Sequence, residues 1–248
     1  EALIESGVPS NVVVTKSGGH SAPVVAEHAI ALLLALVRGL PHAWENQKQR
    51  RWLRDRSGKR VGTTRSLYGR TAVVLGLGPI GGAIAERLDA LGMQVVGVSR
   101  SGRAHPSLAK SYPIGELRSA LSDASVLIVA APGGPETSKL IGEAELAAME
   151  PEGFIVNVGR GSVVDTMAVA EALHTGVLLG AALDVVDPEP LPEEHELWDA
   201  PNLIITPHRA GGGDPMSAYR QADLVLENLA RFRRGEPLEF SLATKVRD

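Results

Sequence analysis

The sequence predicts an α/β protein built on a doubly wound, mainly parallel sheet, and three observations lead to this prediction. Short β-branched, apolar segments alternate with segments of helical periodicity over most of the 248 residues. One apolar segment ends in a glycine-rich turn that leads directly into a helix. Ionisable residues stand just after the predicted strands, where an open parallel sheet binds its ligands.

The glycine-rich turn is the centre of the pattern. Gly76, Gly78 and Gly81 have G-x-G-x-x-G spacing between a predicted strand and a predicted helix. The first glycine permits the tight turn, the second lets the backbone approach a pyrophosphate, and the third lets helix and strand pack closely. This context indicates a Rossmann-type unit that binds a dinucleotide, whereas the same spacing elsewhere would be weak evidence. A glycine-rich turn without a ligand is the alternative.

The other elements continue the alternation of strands and helices. Strands that are buried on both faces should consist mostly of Val, Ile, Leu and Ala, and amphipathic helices should repeat apolar residues every three or four positions. The predicted strands span 11–15, 71–75, 94–98, 126–130, 154–158, 179–183 and 203–206, and the predicted helices span 22–40, 80–91, 116–122, 142–149, 165–174 and 215–234.

The segment before the glycine turn has two parts. The helix over 22–40 is apolar nearly all round from Ala29 onward, which is typical of a helix buried between domains or subunits. Its longest apolar run, 29–37, is too short to span a bilayer. The polar, basic segment 42–65 is expected to be an extended arm that lies over a surface.

Composition excludes several classes of function. The net charge of −4 argues against a general nucleic-acid or membrane-surface role. There is no cysteine, which excludes a disulfide framework and thiolate chemistry and is consistent with a reducing, cytoplasmic location. No cluster of His, Asp and Glu has metal-ligand spacing, so no metal is expected.

The end of the second strand bears on the choice of cofactor. NAD-binding units usually carry an acidic residue there to hold the ribose 2′-hydroxyl, but this strand ends with Ser99, Arg100, Ser101 and Arg103. Arginine and serine would bind a 2′-phosphate that an acid would repel. We therefore expect NADP(H) to be preferred, with NAD(H) possible. A solvated basic loop is the alternative.

Three ionisable residues follow three predicted strands and are expected to meet at one edge of the sheet. Arg160, between two glycines, could hold a carboxylate and an adjacent carbonyl oxygen with its planar fork. His208 could exchange a proton with that oxygen, and Glu189 could favour the imidazolium and hold the ring. With a nicotinamide, this set predicts a reversible 2-keto acid reductase. The alternatives are a surface arginine, a satisfied buried histidine and one acid among several in an acidic loop.

Several blocks of sequence are similar to the D-isomer-specific 2-hydroxyacid dehydrogenase family, and they follow in the same order along nearly the whole chain. The blocks are VAEHAIALLLALVR (25–38), VLGLGPIG (74–81), PETSKLIGEAELAAMEPEGFIVNVGRGSVVD (135–165), ALDVVDPEPLP (182–192) and NLIITPHRAG (202–211).

The resemblance implies roles for individual residues. The family's catalytic Arg, Glu and His fall on Arg160, Glu189 and His208, and its aspartate that contacts the nicotinamide carboxamide falls on Asp184. A homodimer through the helix and arm over 24–65 is also implied. The residues expected to bind the cofactor are Gly76, Gly78, Pro79, Ile80, Gly81, Ser99, Arg100, Ser101, Arg103, Ala131, Pro132, Val158, Gly159 and Asp184.

The resemblance also implies a division into domains. Residues 1–22 are expected to be the remnant of a flavodoxin-like substrate domain, most of which would precede Glu1, so that the chain is N-terminally incomplete. Residues 23–211 would form the dinucleotide-binding domain, and 212–248 would be a crossover helix and tail that belong to the substrate domain.

The expected function is hydride transfer between NADP(H) or NAD(H) and a small 2-keto or 2-hydroxy acid. The end of the second strand is similar to that of glyoxylate and hydroxypyruvate reductases that use NADPH. Two alternatives stay open: an interaction protein that senses dinucleotides, as corepressors in the family do, and an inactive cofactor-binding fragment.

Overall fold

The computed structural model describes Pro9, residues 12–52 and residues 65–242. The chain divides into two compact units, one spanning 22–212 and the other combining 1–21 with 213–248. The interpretation of the smaller unit as part of a substrate domain stays a prediction.

The larger unit is built on a seven-stranded sheet in which all neighbouring strands are parallel, in the order β3-β2-β1-β4-β5-β6-β7. This architecture confirms the predicted doubly wound α/β class. The strands are β1 (Thr71–Leu75), β2 (Gln94–Ser99), β3 (Lys110–Pro113), β4 (Ala124–Val129), β5 (Gly153–Asn157), β6 (Leu178–Leu183) and β7 (Leu203–Ile205). The helices are α1 (Ala22–Val37), α2 (Leu40–Lys48), α3 (Pro79–Ala90), α4 (Leu117–Leu121), α5 (Glu143–Ala147) and α6 (Thr166–Thr175).

The central strands are predominantly apolar because helices cover both faces of the sheet. Successive side chains alternate between two separate cores, as the two-residue repeat of a strand requires. Val73 and Leu75 of β1 belong to the core that α4, α5 and α6 cover. Ala72 and Val74 of the same strand belong to the core that α1 and α3 cover.

The helix predicted over 22–40 ends earlier than expected, and a second helix follows it. α1 stops at Val37 because Gly39 adopts a left-handed conformation with φ of 62°. Pro41 then lies in the first turn of α2, where its missing N–H costs nothing. The prediction of an extended arm over 42–65 is thus wrong for 42–48, and residues 53–64 lie outside the described part of the chain.

The apolar character of α1 is explained within its own unit, since α1 packs against α3, β5 and β6. Over the described residues, no single helix meets the length and hydropathy that a membrane crossing requires. Only α1 and α2 taken together do so, and these two are bent by 67°.

Strand β3 has no counterpart among the predicted elements. Its sequence, Lys-Ser-Tyr-Pro, lacks an apolar run. It pairs with β2 as the outermost strand of the sheet, and none of its four residues is buried. Pro113 at its end is tolerated because an edge strand has ladder positions without a partner.

The smaller unit contains α7 (Pro215–Arg234), which begins at the N-cap Asp214 and ends at Gly235 in a left-handed conformation. The strand predicted over 11–15 is wrong: among the described residues of that segment, only Thr15 makes a bridge, antiparallel to Ser241. Asn11 lies outside the described residues.

Candidate active site

The carboxyl ends of the parallel strands carry every residue that the sequence singled out for function. The glycine turn follows β1, the Ser99–Arg103 segment continues from the end of β2, and Ala131 with Pro132 follows β4. Val158, Gly159 and Arg160 follow β5, Asp184 follows β6, and His208 follows β7. Because all seven strands run in the same direction, these segments meet at one edge of the sheet.

The three glycines of the turn meet three different requirements. Gly76 has φ of +96°, and a Cβ there would lie 2.7 Å from the backbone of Ala131. A Cβ on Gly81 would collide with the carbonyl oxygen of Gly76, so helix α3 approaches β1 only because this residue has no side chain. Gly78 is different, because a Cβ there would contact no protein atom within 4 Å.

The open space at Gly78 lies at the first turn of α3, whose N–H groups lack partners within the helix. Backbone donors and the positive end of the helix dipole there favour an anion. Gly159 also packs against bare backbone, since its Cβ position lies 2.5 Å from the carbonyl oxygen of Ala131, the residue that the Cβ position of Gly76 approaches. This cradle of bare backbone fits the pyrophosphate of a dinucleotide.

The segment after β2 brings one arginine to the glycine turn. The Arg103 guanidinium donates from Nη2 to the carbonyl oxygen of Leu77 at 3.2 Å, and Leu77 stands between Gly76 and Gly78. The Arg103 amide donates to Ser99 Oγ at 3.1 Å, which holds the base of the loop. Arg100 and Ser101 are exposed. Cationic and hydroxyl groups thus stand where the cofactor's adenosine ribose is expected.

Arg160 is held in a rigid turn that a buried asparagine organises. Asn157 accepts the amide of Gly159 at 3.0 Å and donates to the carbonyl oxygen of Arg160 at 3.1 Å. The backbone of Val186 packs so closely against Gly161 that no side chain would fit there. The guanidinium donates to the Gly159 carbonyl oxygen at 2.7 Å, and the Arg160 residue is exposed. A substrate carboxylate could therefore reach it.

Glu189 joins the loop after β6 to His208. Its Oε1 accepts the amide of Val186 at 3.1 Å, and its Oε2 is 2.8 Å from His208 Nδ1. A carboxylate there requires Nδ1 to carry a proton, which leaves Nε2 as the ring atom for proton exchange. Because Val186 also contacts Gly161, these contacts connect the Arg160 turn to His208.

The backbone of His208 adopts a left-handed conformation with φ of 47°, which is uncommon for a residue other than glycine. Its amide lies 2.8 Å from the Asp184 carbonyl oxygen and 2.9 Å from that of Thr206. The next two amides, of Arg209 and Ala210, donate to the Asp184 carboxylate at 3.0 and 2.9 Å. Asp184 therefore holds the chain on both sides of His208.

The Asp184 side chain is only 1% exposed. Besides the two amides, its Oδ1 accepts the Thr206 hydroxyl at 2.5 Å and lies 3.3 Å from His28 Nε2. The structure thus gives Asp184 a set of contacts within the protein, in addition to the cofactor contact that the resemblance implies.

A further carboxylate supports the segment after Arg160. Asp165 caps α6 by accepting the amides of Met167 and Ala168, and its Oδ2 is 3.0 Å from Lys139 Nζ. The hydrogen bond from Lys139 lowers the pKa of Asp165, and the amide hydrogen bonds act in the same direction against the effect of burial.

Sequence reasoning did not assign a role in the site to Asn157, Thr206 or His28. Asn157 is a polar residue at the end of an otherwise apolar strand, and Thr206 precedes the Pro-His pair; either position could have been a signal. His28 interrupts the apolar helix α1, and no local pattern in the sequence connects it to Asp184, which lies 156 positions later.

Comparison with known proteins places this geometry in a family. The family model of the D-isomer specific 2-hydroxyacid dehydrogenase NAD-binding domain matches residues 30–210. The glyoxylate reductase of Pyrococcus furiosus is 34% identical over 241 residues, which cover 94% of this chain and 69% of that protein.

Two solved structures superpose on the chain with a TM-score of 0.83. One is a D-isomer specific 2-hydroxyacid dehydrogenase from Xanthobacter autotrophicus in complex with NADPH and MES, which is 29% identical; the match covers 98% of this chain and 97% of that one. The other is a probable 2-hydroxyacid dehydrogenase from Rhizobium etli in complex with NADP, HEPES and tartaric acid, which is 26% identical; the match covers 96% and 74%.

Fold and site together define an α/β oxidoreductase that binds a nicotinamide dinucleotide. The chain belongs to the D-isomer specific 2-hydroxyacid dehydrogenase family, as the sequence blocks predicted. Its reaction is hydride transfer between the cofactor and a 2-hydroxy acid.

Proposed function

We propose that this protein is an NADP-preferring dehydrogenase that reduces a small 2-keto acid, of the size of glyoxylate or hydroxypyruvate, to the 2-hydroxy acid. The observation that supports this most strongly is the pairing of His208 with Glu189 at the same sheet edge as Arg160 and the open glycine cradle. This arrangement offers an acid–base group, an anion-binding group and a dinucleotide site together.

In this proposal, Arg160 binds the substrate carboxylate and the adjacent carbonyl oxygen through its planar fork of donors. A nicotinamide cofactor held at the glycine turn would supply the hydride that the carbonyl carbon receives. His208 Nε2–H gives a proton to the carbonyl oxygen as negative charge develops there, and it takes the proton back in the oxidation direction. Glu189 accepts from Nδ1 and so keeps a proton on that atom throughout: the ring is an imidazolium before Nε2 gives its proton and the neutral Nδ1–H form afterwards.

The preference for NADP(H) rests on charge at the end of β2. Arg103 is tethered to the glycine turn, Arg100 is exposed beside it, and Ser99 and Ser101 add hydroxyl groups. A 2′-phosphate gains charge-assisted hydrogen bonds from such a set, while a ribose 2′-hydroxyl finds no acidic acceptor. The Xanthobacter and Rhizobium relatives are described with NADPH and NADP, which agrees with this preference.

A homodimer through 24–65 is the proposed assembly. A largely apolar cavity of about 560 Å³ lies between α1, α2 and the amino ends of β5, β6 and β7, and its lining includes Leu40 and Trp44. Both of these residues are more than half exposed, and Trp52 is 88% exposed. A second copy would remove this apolar surface from water. The cytoplasmic location stays a prediction.

The direct test is steady-state oxidation of NADPH with glyoxylate, hydroxypyruvate and pyruvate as substrates. We expect turnover with at least one of them and a fall in kcat of about 100- to 10,000-fold in His208→Ala, because the acid–base group is lost. The dissociation constant of NADPH should stay unchanged in that variant. Tight NADPH binding without turnover by the unsubstituted protein would contradict the assignment as an enzyme and favour a protein that senses dinucleotides.

A further inference from the structure

The side chain of His28 reaches from helix α1 into the group of residues that holds His208. Its Nε2 is 3.1 Å from Thr206 Oγ1 and 3.3 Å from Asp184 Oδ1. The imidazole is 24% exposed, whereas the Asp184 carboxylate is almost completely buried. A histidine on the sheet-facing helix therefore contacts residues that follow β6 and β7.

The direction of each hydrogen bond follows from the chemistry of the three groups. An ionised carboxylate can only accept, so the Thr206 hydroxyl gives its single hydrogen to Asp184 Oδ1. The Thr206 oxygen must then accept from His28, and His28 Nε2 must carry a hydrogen. The three side chains form one directed series, from His28 through Thr206 to Asp184, and either the Nε2–H tautomer or the imidazolium satisfies it.

The series ends on the backbone of His208. The Asp184 carboxylate accepts the amides of Arg209 and Ala210, and its carbonyl oxygen accepts the amide of His208. These contacts hold His208 in a conformation that L-residues seldom adopt. If the carboxylate rotates, both amides after His208 lose their acceptor, and the ring loses its fixed direction.

We propose that His28 is a positioning residue for His208: it orients the Thr206 hydroxyl and the Asp184 carboxylate, and through them the backbone that aims the His208 ring. The proposal rests on the proposed function, in which His208 exchanges the substrate proton. A misplacement of about 1 Å at an acid–base group can cost about 100-fold in rate even when the change lies outside the reacting groups.

Two substitutions of His28 separate its hydrogen bond from its packing. His28→Leu keeps apolar bulk and removes the donor, while His28→Gln keeps an N–H donor on a side chain of similar reach. His174→Leu is the matched control, because His174 lies on α6, and its described bond joins Nδ1 to a carbonyl oxygen of its own helix.

The first readout is hydrogen–deuterium exchange of a peptide covering residues 205–212, which needs no turnover. We expect the amides of residues 208–210 to exchange about tenfold faster in His28→Leu, since a group that orients their acceptor is lost. His28→Gln should restore most of the protection, and His174→Leu should leave it unchanged. Unchanged protection in a folded His28→Leu would overturn the proposal.

The second readout is the division of the effect between kcat and the binding constants. We expect kcat to fall about 10- to 100-fold in His28→Leu, with the KM of the keto acid and the Kd of NADPH within about twofold, and His28→Gln to recover most of the rate. A weakened Kd of NADPH with unchanged kcat would overturn the proposal, because Asp184 would then act through the cofactor. If the unsubstituted protein shows no turnover, the proposed function fails, and the exchange experiment decides on His28 alone.

Discussion

At the scale of single residues, the glycine turn shows how one small motif combines two demands of folding with one of binding. Gly76 and Gly81 are required by the protein itself, because side chains there would collide with neighbouring backbone. Gly78 leaves space that no protein atom fills. Substitutions should therefore separate into those that affect stability and one that affects cofactor binding.

Gly78→Ala is expected to fold normally and to bind NADPH poorly. Gly78 has φ of −75°, which any residue can adopt, so the free energy of unfolding of the variant should stay within about 1 kcal/mol of that of the unsubstituted protein. The methyl group would occupy the cradle, and the Kd of NADPH should rise about tenfold or more. The matched control is Gly81→Ala, which should cost about 1–3 kcal/mol of stability through overpacking. An NADPH affinity unchanged in Gly78→Ala would contradict the assignment of the cradle.

Arg103→Ala tests the proposed cofactor preference. Loss of a charge-assisted hydrogen bond should raise the KM of NADPH about 10- to 100-fold while the KM of NADH changes little. The control is Arg118→Ala, which removes an arginine of α4 that pairs with Glu145. An equal rise in the KM of NADPH and of NADH in Arg103→Ala would show that Arg103 supports the glycine turn instead of binding the 2′-phosphate.

The position of Arg160, Glu189 and His208 at one edge of the sheet could be predicted because each follows a strand, and parallel strands end at one edge. Their roles in the reaction stay predictions. The residues that hold these three side chains in place could not be predicted. Asn157, Thr206 and His28 act through contacts between distant parts of the chain, and nothing local in the sequence marks such contacts. The backbone conformation of His208 was equally invisible, since it depends on Asp184 accepting three amides.

At the scale of elements, helices and strands with strong periodicity were predictable, and those set by one or two residues were not. The break between α1 and α2 depends on a left-handed Gly39, which interrupts an apolar pattern that would otherwise continue to Leu40. Strand β3 is polar because it lies at an edge. The first case is set by the backbone conformation of one residue, and the second shows tertiary position overriding local pattern.

The N-cap of α6 gives a pH-dependent prediction. Folding lowers the pKa of Asp165 from its ordinary value of 3.8, so the ionised carboxylate stabilises the fold at pH values above 3.8. This contribution is lost as the pH falls through the pKa of the folded state. Asp165→Ala should therefore cost about 0.5–2 kcal/mol at neutral pH and progressively less below pH about 4. Asp165→Asn keeps an acceptor for the cap and should cost less. Urea unfolding at several pH values measures this, and a cost of Asp165→Ala that is as large at pH about 3 as at neutral pH would contradict it.

At the scale of the whole molecule, the larger unit is explained by the burial of two cores on either side of one sheet. That arrangement was predictable because the alternation of strands and helices admits few topologies. Among the residues that the structure describes, it leaves apolar surface exposed on α2.

The proposed dimer is tested by placing a charge on that surface. Leu40→Glu should shift the mass measured by light scattering from about twice 26.1 kDa towards the single-chain value, because a buried carboxylate would be unpaired in the interface. Met167→Glu, at an exposed position in the first turn of α6, is the control and should leave the mass unchanged. A dimer that persists in Leu40→Glu would contradict the proposed location of the interface.

The proposed function requires hydride transfer at the edge of the sheet around Arg160, Glu189 and His208. The most direct measurement uses NADPH with deuterium at both positions of C4 of the nicotinamide and glyoxylate as acceptor, followed by mass spectrometry of the product. We expect one deuterium at C2 of glycolate with the unsubstituted protein and almost none with His208→Ala over the same time. Bound NADPH with no deuterium in any 2-hydroxy acid, or equal transfer by His208→Ala, would contradict it.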